Sequence, residues 1–158
     1  MKIELVGLTD GGRMPDAHVF NGFGCEGANI SPAVRWSGAP DGTKSFAITV
    51  YDPDAPTGSG WWHWLAFNIP TNTNEIPGGA SMKDMPRGTV ESITDYGAPG
   101  YGGACPPQGH GDHRYIFTVF ALDVDTLPLD GGAMPAMVGY YLNQHKISSA
   151  TATLLYGR

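Results

Sequence analysis

Asp52 and Asp54 stand in a proline-stiffened run, Asp52-Pro53-Asp54-Ala55-Pro56, and His63 follows inside the aromatic stretch Gly60-Trp61-Trp62-His63-Trp64. Farther along, Pro106-Pro107-Gln108-Gly109-His110-Gly111-Asp112-His113-Arg114-Tyr115 adds two imidazoles and a phenol. The chemistry open to such groups is narrow. Imidazole and phenol donate hydrogen bonds to an oxyanion such as phosphate, and glycine-rich backbone supplies further N–H donors. A carboxylate next to a histidine orients the ring and favours its protonated form. The carboxylates suit an ammonium group equally well. A pocket carrying both signs fits a small zwitterion or a phosphorylated amine better than a plain polyanion.

Two rival chemistries use the same residues. Asp52, His63 and His113 make a two-histidine, one-carboxylate metal set that Cys105 or His110 would extend. No HExxH, HxH or CxxC spacing supports it. Cys105 beside His113 would be a thiol nucleophile. No G-x-S-x-G motif, P-loop or dinucleotide fingerprint accompanies it. We therefore expect a binding protein with no resident metal or cofactor, and a hydrolase only as the weaker alternative.

The elements that must position these groups are strands. Lys44 to Asp52 alternates, with Phe46, Ile48, Val50 and then Asp52 on one face. A carboxylate that continues an apolar face needs a partner, because burying it alone is costly. Trp61 to Ile69 reads as a second strand with Trp61, His63, Leu65, Phe67 and Ile69 on one face. The run of tryptophans is expected to pack rather than form an exposed platform. His113 to Leu122 is a third strand, apolar on both faces beyond its first residues and so central. Asp52, His63, His113 and Tyr115 thus lie at or near strand ends, and they converge if the strands are neighbours. Pro53 and Pro56 stiffen the loop around Asp54. Ala55-Pro56 and Pro106-Pro107 are the places where a cis bond would fit.

Shorter strands are expected over 2–6, 33–36 and 90–93, with loops over 7–33, 71–89 and 95–112. Tyr96 to Tyr101 reads as loop. One helix spans Ala133 to His145, and a last strand spans Ile147 to Tyr156. With 158 residues, no linker and no repeat, residues 1–158 form a single domain. At 41% hydrophobic and 15% charged the chain is globular, and its 23 glycines and 13 prolines suit strands joined by turns. A net charge of −6 without a basic run argues against nucleic acid. No apolar run reaches membrane-spanning length, so no stable membrane insertion is expected. Met1 to Gly7 does not read as a signal peptide, which makes the cytoplasm the default location. The two cysteines, Cys25 and Cys105, are expected to be free thiols.

The motifs together resemble a known family. Asn29-Ile30-Ser31-Pro32 with Trp36, Gly42-Thr43-Lys44-Ser45-Phe46, Asp52-Pro53-Asp54-Ala55-Pro56-Thr57-Gly58, Trp62-His63-Trp64 with Asn68-Ile69-Pro70, and Pro106-Pro107 through His113-Arg114-Tyr115 follow in order across nearly the whole chain. They resemble the phosphatidylethanolamine-binding proteins, the Raf-kinase-inhibitor-like family, in its bacterial and archaeal YbhB/YbcL branch. The resemblance implies a mainly β fold, with a large antiparallel sheet packed on a smaller one and peripheral helices, one of them near the C-terminus. It implies a small anion pocket formed by Asp52, His63, His113 and Tyr115 and shaped by Asp54, Pro56, Trp61 and Pro107. Cys105 stands where small residues are usual in relatives, which puts a sulfur at the pocket rim. His110 is an additional histidine beside it. A helix tyrosine joins the pocket in animal members, with Tyr140 and Tyr141 the candidates here. The partners implied are a small anionic or zwitterionic ligand, a kinase or protease, and a second copy in a homodimer.

Overall fold

Alternating apolar side chains build the centre of the molecule, and a computed structural model describes it over residues 1–158. In chain order the strands are β1 (Lys2–Leu5), β2 (Asn21–Gly22), β3 (Cys25–Glu26), β4 (Val34–Ser37), β5 (Ser45–Asp52), β6 (Trp61–Ile69), β7 (Glu75–Ile76), β8 (Val90–Glu91), β9 (His113–Leu122) and β10 (Lys146–Tyr156). The one α-helix, α1, spans Pro135–His145, and a single 3-10 turn covers Asp16–His18. Pro135 opens α1 two residues later than the apolar pattern suggests, at a position where its missing N–H is not needed.

The fold is mainly β. A five-stranded antiparallel sheet runs in the order β10-β9-β5-β6-β8, and a three-stranded sheet runs β1-β4-β7. Leu5, Val34, Trp36 and Ile76 of the small sheet share one core with Phe46, Ile48, Val50, Phe117 and Val119 of the large one. The Trp36 and Phe46 rings meet edge to face at 5.3 Å. On the opposite face of the large sheet, Val138 and Leu142 of α1 pack with Ala47, Leu65, Phe67 and Leu122. β5 and β9 are therefore covered on both sides, as their apolar runs require.

β6 departs from simple alternation. Val50 pairs with Trp64 and Tyr51 pairs with Trp62, so His63 has no opposite residue. This bulge turns His63 to the same side as Trp64, whereas strict period two would place it with Leu65. A second irregularity lies between Ala66 and Ile69, where Asn68 takes a left-handed φ of 61°. The expected single face of Trp61, His63, Leu65, Phe67 and Ile69 is thus divided. Leu65 and Phe67 face the helix, and Ile69 returns to the inter-sheet core.

Candidate functional site

β9, β5 and β6 are neighbours, and antiparallel pairing brings the start of β9, the end of β5 and the start of β6 to one edge of the large sheet. A cavity of about 200 Å³ opens there. Its wall includes Asp52, Pro56, Trp61, His63, Cys105, Pro107, His113 and Tyr115, eight of the nine residues singled out in the sequence.

Asp52 is buried and doubly held. Its Oδ1 accepts the backbone N–H of Asp54 at 2.7 Å, and its Oδ2 accepts a hydrogen bond from His113 Nδ1 at 2.7 Å. A carboxylate in this geometry only accepts, so His113 carries its hydrogen on Nδ1. The Nε2 atom of His113 meets His110 Nδ1 at 2.6 Å, which completes an Asp52–His113–His110 chain leading outward from the core.

His63 is anchored from the other side. Its Nδ1 lies 2.8 Å from the Gly102 carbonyl and 3.1 Å from that of Gly103, so this nitrogen is the donor and Nε2 bears the lone pair. Burial holds the imidazole pKa below its usual value, against the opposing pull of the Gly102 carbonyl. Gly103 has to be glycine. A Cβ there would collide with the His18 carbonyl and the backbone of Val19 and Phe20. Tyr115 is buried, and desolvation, with the negative Asp52 adding to it, raises its pKa, so the phenol keeps its proton.

Asp54, the ninth residue, does not line the cavity. It faces Arg114, whose Nε and Nη2 grip its two oxygens at 2.9 and 2.8 Å while the Arg114 backbone N–H adds a third bond at 2.9 Å. The hydrogen bond from the Arg114 side chain pulls the Asp54 pKa down to about 2. This clamp ties the Asp52–Pro56 loop to β9. Gly60 closes the same loop at φ 68°, where any Cβ would strike the Tyr51 hydroxyl and the Asp52 carbonyl.

Three expectations are corrected. Cys25 and Cys105 are not free thiols. They form a disulfide across 80 residues, with Cα atoms 5.9 Å apart. That sulfur is therefore neither a nucleophile nor a metal ligand in the oxidised protein, and no group of three or more His, Cys, Asp or Glu side chains is arranged to hold a metal ion. All prolyl bonds are trans, Pro56 and Pro107 included. Tyr140 and Tyr141 lie on α1, across the sheet from the cavity, with Tyr140 exposed and Tyr141 against the helix-side core. Tyr96 lies in a loop, as expected, and is also part of the site. Its ring stacks on Phe20 at 4.0 Å and meets Phe23 and Trp61 at 5.5 and 5.4 Å. Phe23 also lines the cavity, at the tip of the β2–β3 hairpin that the disulfide ties down. Neither residue has a local pattern. Phe23 sits between two glycines in a loop, and its role depends on a contact made across the chain.

A family model described as phosphatidylethanolamine-binding protein matches residues 7–157. The chain belongs to the phosphatidylethanolamine-binding protein family. It is 52% identical over 152 residues to the YbcL protein of Escherichia coli, covering 94% of this chain and 83% of that one. It is 49% identical to YbhB of the same organism, over 99% of both chains. The crystal structure of Escherichia coli YbcL, described as a new member of the mammalian family, superposes with a TM-score of 0.97 at 48% identity, over 99% of this chain and 98% of that one. A Chlamydia trachomatis homologue superposes at 0.83 with 26% identity, covering 99% and 97%. Neither the family description nor these relatives' names is that of an enzyme. No helix is long and apolar enough to cross a membrane.

Proposed function

We propose that this family member is a non-enzymatic binding protein whose pocket takes a small phosphate-type or phosphorylated-amine ligand. The observation that carries this reading is the cavity itself. Its polar wall of Asp52, His63, His113 and Tyr115 is positioned by buried strands, and its mouth is aromatic and held by a covalent bridge. A wall fixed before binding lowers the ordering cost of taking up a ligand. The resemblance to family members linked to phosphatidylethanolamine headgroups supports the same ligand class. A hydrolase is disfavoured, because Cys105 spends its sulfur on Cys25 and the Asp52–His113 pair ends at another imidazole, His110.

A second reading is an inhibitor of a kinase or protease. The exposed apolar side chains of Met134, just ahead of α1, and of Met137 and Tyr140 on it, far from the cavity, favour a protein contact there, with a second copy of the chain as the other occupant. The disulfide also bears on location. Such bridges persist in oxidising compartments, so we favour one over the cytoplasm that the sequence suggested.

The test is an NMR titration of oxidised protein with phosphoethanolamine. Saturable shifts of the Trp61, His63, His113 and Tyr115 resonances, absent in His113→Ala, are expected. Shifts confined to α1, or none in the wild-type protein, would refute the pocket reading.

A further inference from the structure

The hydrogen-bond chain Asp52–His113–His110 restricts what His113 can offer a ligand. The Asp52 carboxylate only accepts, so the hydrogen between it and His113 sits on His113 Nδ1. A neutral His113 then has a lone pair at Nε2, and His110 Nδ1, 2.6 Å away, holds the hydrogen between the two rings. In this state His113 has no hydrogen to give. Two wall groups are free to donate: the Tyr115 hydroxyl, which makes no bond within the protein, and the Trp61 indole N–H, buried without a partner. The Tyr96 hydroxyl is committed to the Gly103 carbonyl at 2.8 Å. For His113 to join the donors it must gain a second proton at Nε2 and become an imidazolium paired with Asp52. Even then His110 fills the position, because its other tautomer accepts the new hydrogen at Nδ1. A ligand oxygen reaches His113 Nε2 only by displacing His110.

His110 is placed to leave. It is exposed, whereas His113 is buried. It stands between Gly109 and Gly111, both in the left-handed region at φ 76° and 83° with open space around them. Two backbone bonds hold this turn, from the Gly109 N–H to the Arg158 carbonyl at 2.8 Å and from the His110 N–H to the Pro107 carbonyl at 3.3 Å. His110 is not one of the 13 residues of the cavity wall, so its departure adds room at His113 without moving that wall. We propose that His110 is a built-in competitor of the ligand: its imidazole caps His113 in the empty site, and an anionic phosphate oxygen takes its place as His113 gains a proton from solvent. The inference rests on the ligand reading above and adds how that site is controlled. An anionic oxygen is the fitting replacement, because its bond to an imidazolium is charge-assisted and the imidazole's is not. The surroundings of His113 favour the step. Asp52 faces its other nitrogen, and Asp54, on the loop after β5, is shared with Arg114. Its other titratable neighbours are Asp112 before it in the chain, Tyr115 on β9, Tyr156 opposite it on β10 and His63 across the cavity. Burial opposes a charge on His63, so that ring does not take the proton instead.

The nitrogen–nitrogen coupling across the His110–His113 hydrogen bond reads the cap directly by NMR of oxidised, nitrogen-15-labelled protein. Phosphoethanolamine and glycerophosphoethanolamine are the probes. They separate a free phosphomonoester from a lipid headgroup as the source of the phosphate, and each that binds should displace His110. The coupling is expected in the ligand-free protein and should vanish at saturation, with the His113 nitrogens moving to imidazolium shifts. The diester has no phosphate proton to exchange near neutral pH. Its calorimetry at pH 8, in two buffers of different ionisation heat, should therefore show close to one proton taken up by the protein. In His110→Ala both compounds should bind about five- to tenfold tighter, the effect of removing a hydrogen bond that binding has to break. No coupling in the free protein, a coupling that survives saturation, or binding of the diester without proton uptake would each overturn the proposal while leaving a ligand pocket in place. So would unchanged or weaker binding in His110→Ala, the latter being what a direct ligand contact gives. Binding by His110→Ala but not by the wild-type protein would support it. No binding of either compound by either protein would remove the ligand reading, and this proposal with it.

Discussion

Breaking the Cys25–Cys105 bridge should unsettle the pocket mouth and the whole domain together. The bridge closes a loop of 80 residues that includes β4 to β8. In the chain-entropy model a loop of that size restricts the unfolded state by about 4.5 kcal/mol at 25 °C. Native disulfides typically contribute about 2–5 kcal/mol when removed, so a loss of roughly 3–4 kcal/mol is expected. At about 2–4 °C per kcal/mol for a domain of this size, the midpoint of thermal unfolding should drop by about 10 °C. The assay is thermal unfolding followed by circular dichroism, on oxidised protein, protein reduced with a dithiol, and the Cys25→Ser, Cys105→Ser double variant. Reduction should lower the midpoint of the wild-type protein and leave the double variant unchanged. The bridge also fixes the hairpin that carries Phe23, so fluorescence of Trp61, which shares Tyr96 as a neighbour with Phe23, should change on reduction before unfolding begins. A midpoint within about 2 °C of the oxidised value, or an equal response of the double variant to dithiol, would refute the reasoning.

Three further outcomes are expected. Asp54→Asn should destabilise the protein near pH 7 by about 1 kcal/mol, since solvent screens a pair whose side chains keep 30% and 55% exposure. Because Asp54 titrates lower when folded, its contribution is complete above about pH 4 and fades as pH falls toward 2, so denaturant melts of wild type and variant should converge there. His113→Ala should cost about 3–5 kcal/mol, because it leaves the buried Asp52 carboxylate without its partner; a loss below 1 kcal/mol in urea unfolding would show that Asp52 is not held as described. Glu91→Ala strips the acceptor from the Trp64 indole at 2.8 Å, the Ser81 hydroxyl at 2.6 Å and the Met82 N–H at 2.7 Å, and should cost about 2–4 kcal/mol while sparing phosphoethanolamine shifts at His113.

Much of the molecule is legible in its residue order, because strands and helices obey local periods. The alternation of Phe46, Ile48 and Val50, and of Tyr115, Phe117, Val119 and Ala121, places β5 and β9 within a residue of their observed ends. The same alternation aims Asp52, His113 and Tyr115 at the inter-sheet side. The Asp52-to-Pro56 and His113-to-Tyr115 motifs carry the family. What the order alone could not decide is what depends on contact between distant segments or on a single inserted residue. The bulge at His63 reverses half of β6, and nothing in its apolar pattern signals the extra residue. Phe23 and Tyr96 enter the mouth of the cavity because a hairpin and a loop meet there, 73 residues apart in sequence but with rings 5.5 Å apart. Cys25 and Cys105 look like lone thiols until the fold sets their Cα atoms 5.9 Å apart. The hydrogen on His63 Nδ1 is fixed by two glycine carbonyls some 40 residues away. Local periodicity determines which side chains are buried together; only chain closure in three dimensions determines which lone pairs and protons are left facing the cavity.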